Sequence, residues 1–364
     1  MRIGIVGGGA SGCYLAIRLK ELEPSFDVTI IEKNDKLMKK IAVTGNGRCN
    51  YANLGDLRGK YNNDEFANKI IGNLQPNFLV NKFDEYGIHP TLIDNLVYPI
   101  SLSAQTVILM LEKRLQELGV KSCLNEEVLD YKKENKGYSV KTNLSTHAFD
   151  VLAFTSGGKA YPQLGTNGAV LEIMRQHGYK IETLSPTLCP IKAKENTKKV
   201  SGQRVKCRVY LLNDNKPFYE EDGEVLFKDD GLSGIVILNI STKINSLKDK
   251  SKVKIVLDLA SGQNNIKESD YEQYVHPKVA MYLKDNHLGI HKVSFSFKAF
   301  YDFNIAEVSH GGISIEEVND SLESKKEESL YFAGEILDVD GMCGGFNLMF
   351  AFACAETVAK SIVR

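Results

Sequence analysis

The chain opens on a short apolar run, Ile3-Gly4-Ile5-Val6. Glycines follow, then a stretch from Ser11 to Leu22 with apolar residues at helical spacing. Pro24 closes that helix, and Val28-Thr29-Ile30-Ile31 makes a second buried strand ending in Glu32. Strand, helix and strand fit into roughly thirty residues, the size of a βαβ unit. A second helix is predicted over Ala104 to Leu118, with Ala104, Val107, Ile108, Leu111, Leu115 and Leu118 on one face. Ser103 is its N-cap and Gly119 lies past its end. From Glu126 to Phe154 short strands alternate with turns at Asn135-Lys136-Gly137 and Asn143 to Thr146. That meander returns to a last buried strand, Val151 to Phe154, before Thr155-Ser156-Gly157-Gly158. Near Pro186 and Pro190 the pattern changes. Arg204–Leu212, Gly223–Phe227, Gly234–Ile240 and Val253–Leu257 read as strands, and Asn265–Asn286 as helical with an interruption at Pro277. Leu330 to Glu335 is again a buried strand. It runs through a glycine loop into a helix over Phe346–Val363, whose expected buried face is Leu348, Ala351, Phe352, Ala355, Val358, Ala359 and Ile362. The chain thus leaves one α/β domain and comes back to it.

Composition alters this picture little. Apolar residues are 43 % and charged residues 25 %, ordinary for a globular protein, and 364 residues are enough for two domains. Lys+Arg number 45 against Asp+Glu 46, so charge gives no reason to expect nucleic acid or an anionic membrane as partner. No charged segment precedes a long apolar one at the N-terminus, and no apolar run approaches the ~18 residues of a spanning helix. The seven cysteines are scattered and never form a C-x-x-C pair, which points to reduced thiols and a cytoplasmic setting.

The chemistry begins at Gly7-Gly8-Gly9-Ala10-Ser11-Gly12, a G-x-G-x-x-G through Gly7, Gly9 and Gly12. Gly7 permits the tight strand-to-helix turn, Gly9 lets a pyrophosphate approach the backbone, and Gly12 lets helix and strand pack closely. The helix N-terminus, from Ala10 and Ser11, offers free N–H groups and a positive dipole end to phosphate. Glu32 stands twenty residues after Gly12, where a carboxylate can accept from both ribose hydroxyls, with Lys33 next to it. A lone glycine fingerprint is weak. Here strand, helix, second strand and terminal acid all stand where dinucleotide binding needs them, although they do not separate NAD from FAD.

The second signal is Lys40-Ile41-Ala42-Val43-Thr44-Gly45-Asn46-Gly47-Arg48-Cys49-Asn50. Its glycines give backbone donors room to face phosphate or ribityl oxygens, and Arg48 brings fixed charge; the same loop could be a polar turn. Taken with Glu335 to Gly341, Gly344-Gly345-Phe346-Asn347, Tyr98-Pro99-Ile100-Ser101, Ser156-Gly157-Gly158, Tyr161-Pro162, Gly231 to Gly234 and Gly311-Gly312-Ile313, it resembles the BaiN-like (YhiN-type) NAD(P)/FAD-dependent oxidoreductases over nearly the whole chain. The resemblance implies a glutathione-reductase-type, Rossmann-like, three-layer FAD domain formed by residues 1–187 and 301–364. An inserted, mostly β, barrel-like domain with a short helical part would occupy 188–300. It further implies that Gly334 and Glu335 face the ribityl chain. Gly344, Gly345, Phe346 and Asn347 would set a helix N-terminus at the flavin pyrimidine edge, where reduction leaves negative charge. Met38, Lys228-Asp229-Asp230, Ile235 and Met349 depart from the usual residues of that family, and the chain is shorter than its typical members.

These readings predict an FAD-dependent reductase or dehydrogenase that moves hydride through flavin N5, to or from a small, largely apolar, enone-like substrate. With one dinucleotide fingerprint and no second, NADH or NADPH would visit the flavin directly as a transient donor. A flavin oxidase using oxygen and a redox-sensing flavoprotein are the competing readings. Cys49 beside Arg48 and Cys343 are read as structural thiols, and His287 and His291 as a surface loop, not a metal pair. Tyr98 and Tyr161 either donate protons or pack, and His310 lies either near the flavin or at the surface.

Overall fold

The runs Arg2–Val6, Asp27–Ile31, Val151–Phe154 and Leu330–Phe332 are buried on almost every residue because they lie inside one parallel sheet. In the computed structural model, which describes all 364 residues, the strand order is Leu330–Phe332, Val151–Phe154, Arg2–Val6, Asp27–Ile31 and Lys121–Cys123. The register pairs Ile3 with both Val151 and Val28, and Phe154 with Phe332. The chain forms two units: Met1–Ser185 with Val308–Arg364, and Pro186–Glu307.

In the first unit, aromatic contacts pin the helices to one another. Helix α1 (Ala10–Leu22) lies against the C-terminal helix, and helices α2 (Asp64–Leu74), α3 (Pro76–Glu85), α4 (Ala104–Glu117) and α5 (Ala169–Gln176) complete the helical parts. Tyr14 of α1 packs edge-on to Phe352 at 5.4 Å, and Phe352 to Phe83 of α3 at 5.0 Å. Beneath the other face of the sheet lies the meander Val128–Lys133, Tyr138–Thr142 and Thr146–Phe149. There the Phe149 ring fills the space a side chain at Gly4 would need, approaching to 2.4 Å of its Cβ position. Glu126 fastens the meander by accepting from the Thr142 and Ser145 hydroxyls (each 2.6 Å) with His147 at 2.7 Å.

The second unit is a closed six-stranded barrel of Ile191–Ala193, Gly231–Ser233, Lys216–Lys228, Arg204–Asn213, Val253–Asp258 and Val293–Phe300. Alternate residues such as Val209, Leu211, Val225 and Phe295 fill its core.

Several expectations change here. Gly234–Ile240, expected to be a strand, instead begins helix α6 (Ile235–Asn245). Its β-branched residues favour strand locally, but Val236, Ile237, Ile240 and Ile244 share one helical face and are buried together. Gly234 makes the turn, with φ +100° and its Cβ position 2.2 Å from the Glu224 carbonyl. Pro277 does not interrupt a helix; it starts one, α7 (Pro277–Asp285), in the first-turn position where proline loses no hydrogen bond. Helices α2 and α3 were not predicted, although Ala67, Ile70, Ile71 and Leu74 carry a helical stripe. Ser103 stands at the start of α4 but its side chain makes no capping bond. His287 sits in a turn at φ +52° and His291 pairs with Asp258 at 2.8 Å, so the two do not share a helix.

The last helix, α8 (Phe346–Val363), is long and apolar enough by length and composition to cross a membrane, contrary to the expectation above. It is 67 % buried within the protein, on more faces than predicted, with Met349, Phe350, Ala353 and Cys354 also covered. It also carries a buried charge. Glu356, 1 % exposed, accepts from Arg18 Nε at 2.7 Å and Nη2 at 3.2 Å. Glu21 joins Arg18 to Arg114, which lies 2.9 Å away. Burial opposes charge on Arg18, yet its contact with Glu356 keeps it more firmly protonated than an ordinary arginine. Replacing Glu356 with Ala removes the partner of Arg18 Nε and Nη2 and leaves only Glu21 on Nη1, and a loss of about 3–5 kcal/mol is expected in denaturant unfolding. A loss below ~1 kcal/mol would mean that water or Glu21 replaces the partner.

Candidate active site

The turn after the first strand is built for close approach. Gly7 has φ +106°, and a Cβ there would lie 2.7 Å from Ser156 Cα. A Cβ on Gly12 would lie 2.0 Å from the Gly7 carbonyl oxygen and 2.6 Å from Thr155 Oγ1. Gly9 is different: nothing lies within 4 Å of its Cβ position, and it begins α1 with no side chain capping the helix. The free N–H groups of the first turn therefore face open space. Ala10 is half-exposed beside them. Ser11 points elsewhere, since its buried hydroxyl donates to the Ala351 carbonyl of α8 at 2.8 Å. Glu32 is buried at the end of its strand and its carboxylate already accepts from Gly8 N (2.7 Å), Asn34 N and Asn34 Nδ2 (each 2.8 Å). It holds the glycine turn in shape in addition to any role toward a ribose. Lys33 follows it, half-buried.

The polar loop and the C-terminal glycine loop form one structure. Lys40 Nζ lies 2.6 Å from Glu335 Oε2, and Ser309 N–H donates to Glu335 Oε1 at 2.9 Å. Asn50, with its amide turned to satisfy both ends, accepts from Gly345 N at 3.1 Å and donates to Ala52 O at 2.9 Å. Asn53 donates to Gly344 O at 2.8 Å, and Tyr61 to Phe346 O at 2.9 Å. Gly45, Asn46, Gly47 and Cys49 all have positive φ, so the loop coils on itself and leaves Gly45, Asn46 and Arg48 exposed. Thr44 is held by its own loop, donating to Ile41 O at 2.8 Å. Arg48 lies over the Tyr98 ring at 5.3 Å, and that buried tyrosine packs under it. Cys49 is fully buried, and burial pushes its thiol up to about 12, which fits a structural thiol.

On the third side, Gly157 has φ +72°, while a Cβ on Gly158 would strike Ser309 Oγ at 2.6 Å. Ser309 Oγ accepts from Lys159 N and Ala160 N at 2.7 and 2.9 Å. Gly334 lies so near α1 that a Cβ would meet Ser11 Oγ at 2.3 Å. Gly344 and Gly345 have φ of +121° and +83°, and a Cβ on Gly345 would lie 2.7 Å from the Ala52 carbonyl oxygen. Any larger residue at 345, an aspartate included, would therefore disturb folding. Asn347 closes the loop on itself, accepting from Gly341 N at 2.8 Å and donating to Gly341 O at 2.9 Å.

These residues suit FAD. The uncapped start of α1 and the open space at Gly9 match a pyrophosphate, and Ser156 Oγ is buried with no partner in the protein. Ser309, Asn53, Tyr61 and Asn62 were missed by sequence reasoning. Ser309 and Asn62 act by holding loops and have no signature beyond the neighbouring glycines.

The glycine turn and the two tied loops define an FAD-dependent oxidoreductase with a Rossmann-type domain. The chain belongs to the HI0933-like protein Rossmann domain family, whose profile matches residues 1–361. It is 27 % identical to the 3-dehydro-bile acid delta(4,6)-reductase of Clostridium scindens, covering 99 % of this chain and 98 % of that one. It is 26 % identical to the ribosomal RNA dihydrouridine synthase of Haemophilus influenzae, with the same coverage. In fold it is similar to the 3-ketosteroid-delta4-(5alpha)-dehydrogenase of Rhodococcus jostii RHA1, with a TM-score of 0.53 at 12 % identity over 100 % of this chain and 96 % of that one.

Two glycines separate folding from binding. Gly12→Ala should destabilise the protein even without cofactor, because backbone must move to admit the methyl group. Gly9→Ala should leave the cofactor-free melting temperature unchanged while weakening FAD binding roughly tenfold or more, or ~1.4 kcal/mol. Equal effects of the two substitutions on the cofactor-free fold would contradict this assignment.

Proposed function

We propose that this protein is an FAD-dependent reductase of carbon–carbon double bonds conjugated to a carbonyl, acting on a small, largely apolar, enone-like substrate. The observation that carries it is the joining of the two most specific sequence stretches, Lys40–Asn50 and Glu335–Asn347, into one set of loops beside the glycine turn. The relatives add the reaction type. A 3-dehydro bile acid with 4,6 unsaturation is a conjugated ketone, and dihydrouridine is uridine with its ring double bond saturated beside a carbonyl. The shared chemistry is delivery of hydride and a proton to a polarised double bond.

In this reading Gly7, Gly9 and the first turn of α1 hold the pyrophosphate, and Glu32 the adenosine ribose. The Thr44–Asn50 loop, Ser156 and Gly157 line the central part of the cofactor. Glu335, held in place by Lys40, faces the ribityl chain. The N–H groups of Phe346 and Asn347 stand at the end that becomes negative on reduction. When bound, FAD supplies a two-electron hydride carrier at N5. NADH or NADPH serves as the transient donor, since the chain has a single dinucleotide fingerprint. Relatives that act on ribosomal RNA favour a second reading, a uracil base as the substrate. The balanced charge of this chain does not support an extended RNA footprint.

The purified protein should be yellow and release FAD, not FMN, on denaturation. Under anaerobic conditions NADH or NADPH should bleach it, and a conjugated enone should restore the colour over many turnovers. Release of FMN alone would refute the cofactor assignment. Reoxidation only by oxygen would make the protein an oxidase, and reoxidation without any reduced product a sensor. Reduction of uridine in ribosomal RNA, with no small enone accepted, would select the second reading.

A further inference from the structure

The loop between Glu335 and α8 contains a buried acid that nothing above uses. Asp340 is 1 % exposed, and its Oδ1 lies 2.7 Å from His310 Nδ1. Its other oxygen, Oδ2, is buried without a hydrogen-bond partner. Its backbone is fixed on both sides, since Asp340 N donates to Asn62 Oδ1 at 2.9 Å and Asn62 N to Asp340 O at 3.0 Å. A buried carboxylate with an unmet oxygen costs stability, and an apolar or amide side chain would serve packing better. Burial pushes its carboxyl up, while the contact with His310 pulls the other way.

His310 is fixed just as firmly. It follows Ser309, whose N–H is bound to Glu335 and whose hydroxyl takes the Lys159 and Ala160 N–H groups. It precedes Gly311 and Gly312, where a Cβ would lie 2.4 Å from the Thr183 carbonyl oxygen and 2.6 Å from that of Ile336. Its side chain stays 21 % exposed, unlike that of Asp340. The pair thus stands midway along the loop that begins at Glu335 and ends at the start of α8. The charges that act on Asp340 are His310, Asp338, whose oxygens accept from the Asn62 and Asn63 amides at 3.0 and 3.2 Å, and Glu335, which is paired with Lys40.

We infer that His310 is the acid that protonates the substrate, with Asp340 as the residue that positions it. The inference rests on the reductase reading above. Asp340 accepts a hydrogen bond from Nδ1–H, fixes the ring and stabilises imidazolium, so that Nε2–H is the proton delivered. The β-carbon of the conjugated carbonyl receives hydride, and the reduced cofactor is oxidised by two electrons. The π pair passes to the α-carbon, which takes the proton from His310. The π bond, the imidazole N–H bond and the hydride donor's N–H bond break, two C–H bonds form, and solvent restores the proton to the imidazole.

The test uses holoenzyme and two variants. In His310→Gln, FAD content, bleaching by nicotinamide and reoxidation by oxygen should match the parent, while reoxidation by the enone falls about 10²- to 10⁴-fold. The alkaline fall of the enone rate should vanish with it. In Asp340→Asn that fall should persist but move to lower pH, and the His310 imidazole, followed by NMR, should titrate at lower pH than in the parent. An unchanged enone rate and pH profile in His310→Gln, or an unmoved imidazole titration in Asp340→Asn, would overturn the assignment. If His310→Gln loses FAD, His310→Asn and the NMR titration decide in its place. Should the parent reduce no conjugated carbonyl, the reductase reading fails on that result alone, and the NMR comparison still decides whether Asp340 governs His310.

Discussion

The site depends on how closely α1 approaches the ends of the parallel strands. The Cβ position of Gly12 is 2.0 Å from a carbonyl oxygen, and that of Gly334 is 2.3 Å from the Ser11 hydroxyl. A methyl group at Gly12 would force backbone to move, and one at Gly334 would displace the Ser11 hydroxyl and strain a backbone at φ +84°. Because the helix sits this near, its first N–H groups open directly beyond the strand ends, where the sheet offers a crevice. Ser11 and Arg18 then fasten the same helix to α8, the last element of the chain. One short separation thereby links the first and last twenty residues.

The same economy applies around the rest of the site. Polar side chains there mostly bind backbone groups of another loop. Asn50 and Asn53 hold Gly345 and Gly344, Tyr61 holds Phe346, Asn62 holds Asp340, and Ser309 holds Glu335 and two N–H groups. Bonds of this kind are worth about 1 kcal/mol each, but together they leave the loops little freedom. A rigid polar cradle costs no reorganisation when charge develops on a bound group, which is the condition for electrostatic stabilisation. Buried thiols such as Cys49 and Cys354, both pushed up to about 12, stay protonated and take no part.

Two positions in the glycine-flanked loops lack such closure. Ser156 Oγ and Asp340 Oδ2 are buried and unbonded. Elsewhere in the unit even strongly buried charges are matched, as with Arg18 and Glu356. Tyr51 OH, Asn68 Oδ1, Thr187 Oγ1 and Thr357 Oγ1 are likewise buried without a partner, so what distinguishes Ser156 and Asp340 is their place in the loops of the site.

The sequence alone determined the parallel-strand core, the glycine turn, the helical ends of α1, α4 and α8, and the presence of a β-rich insertion. Those features come from runs, spacings and glycines that act within a few residues of one another. It also carried the two loop signatures, but as separate stretches nearly three hundred residues apart. Only the tertiary structure joined them through Lys40 and Glu335 and gave Ser11 to α8 instead of a ligand. It also turned Ile235–Asn245 into a helix against strand-forming β-branched residues, because burial of one face outweighs local preference. The pairing of His310 with Asp340 was equally hidden, since a hydrogen bond between residues thirty apart leaves no periodicity in the chain.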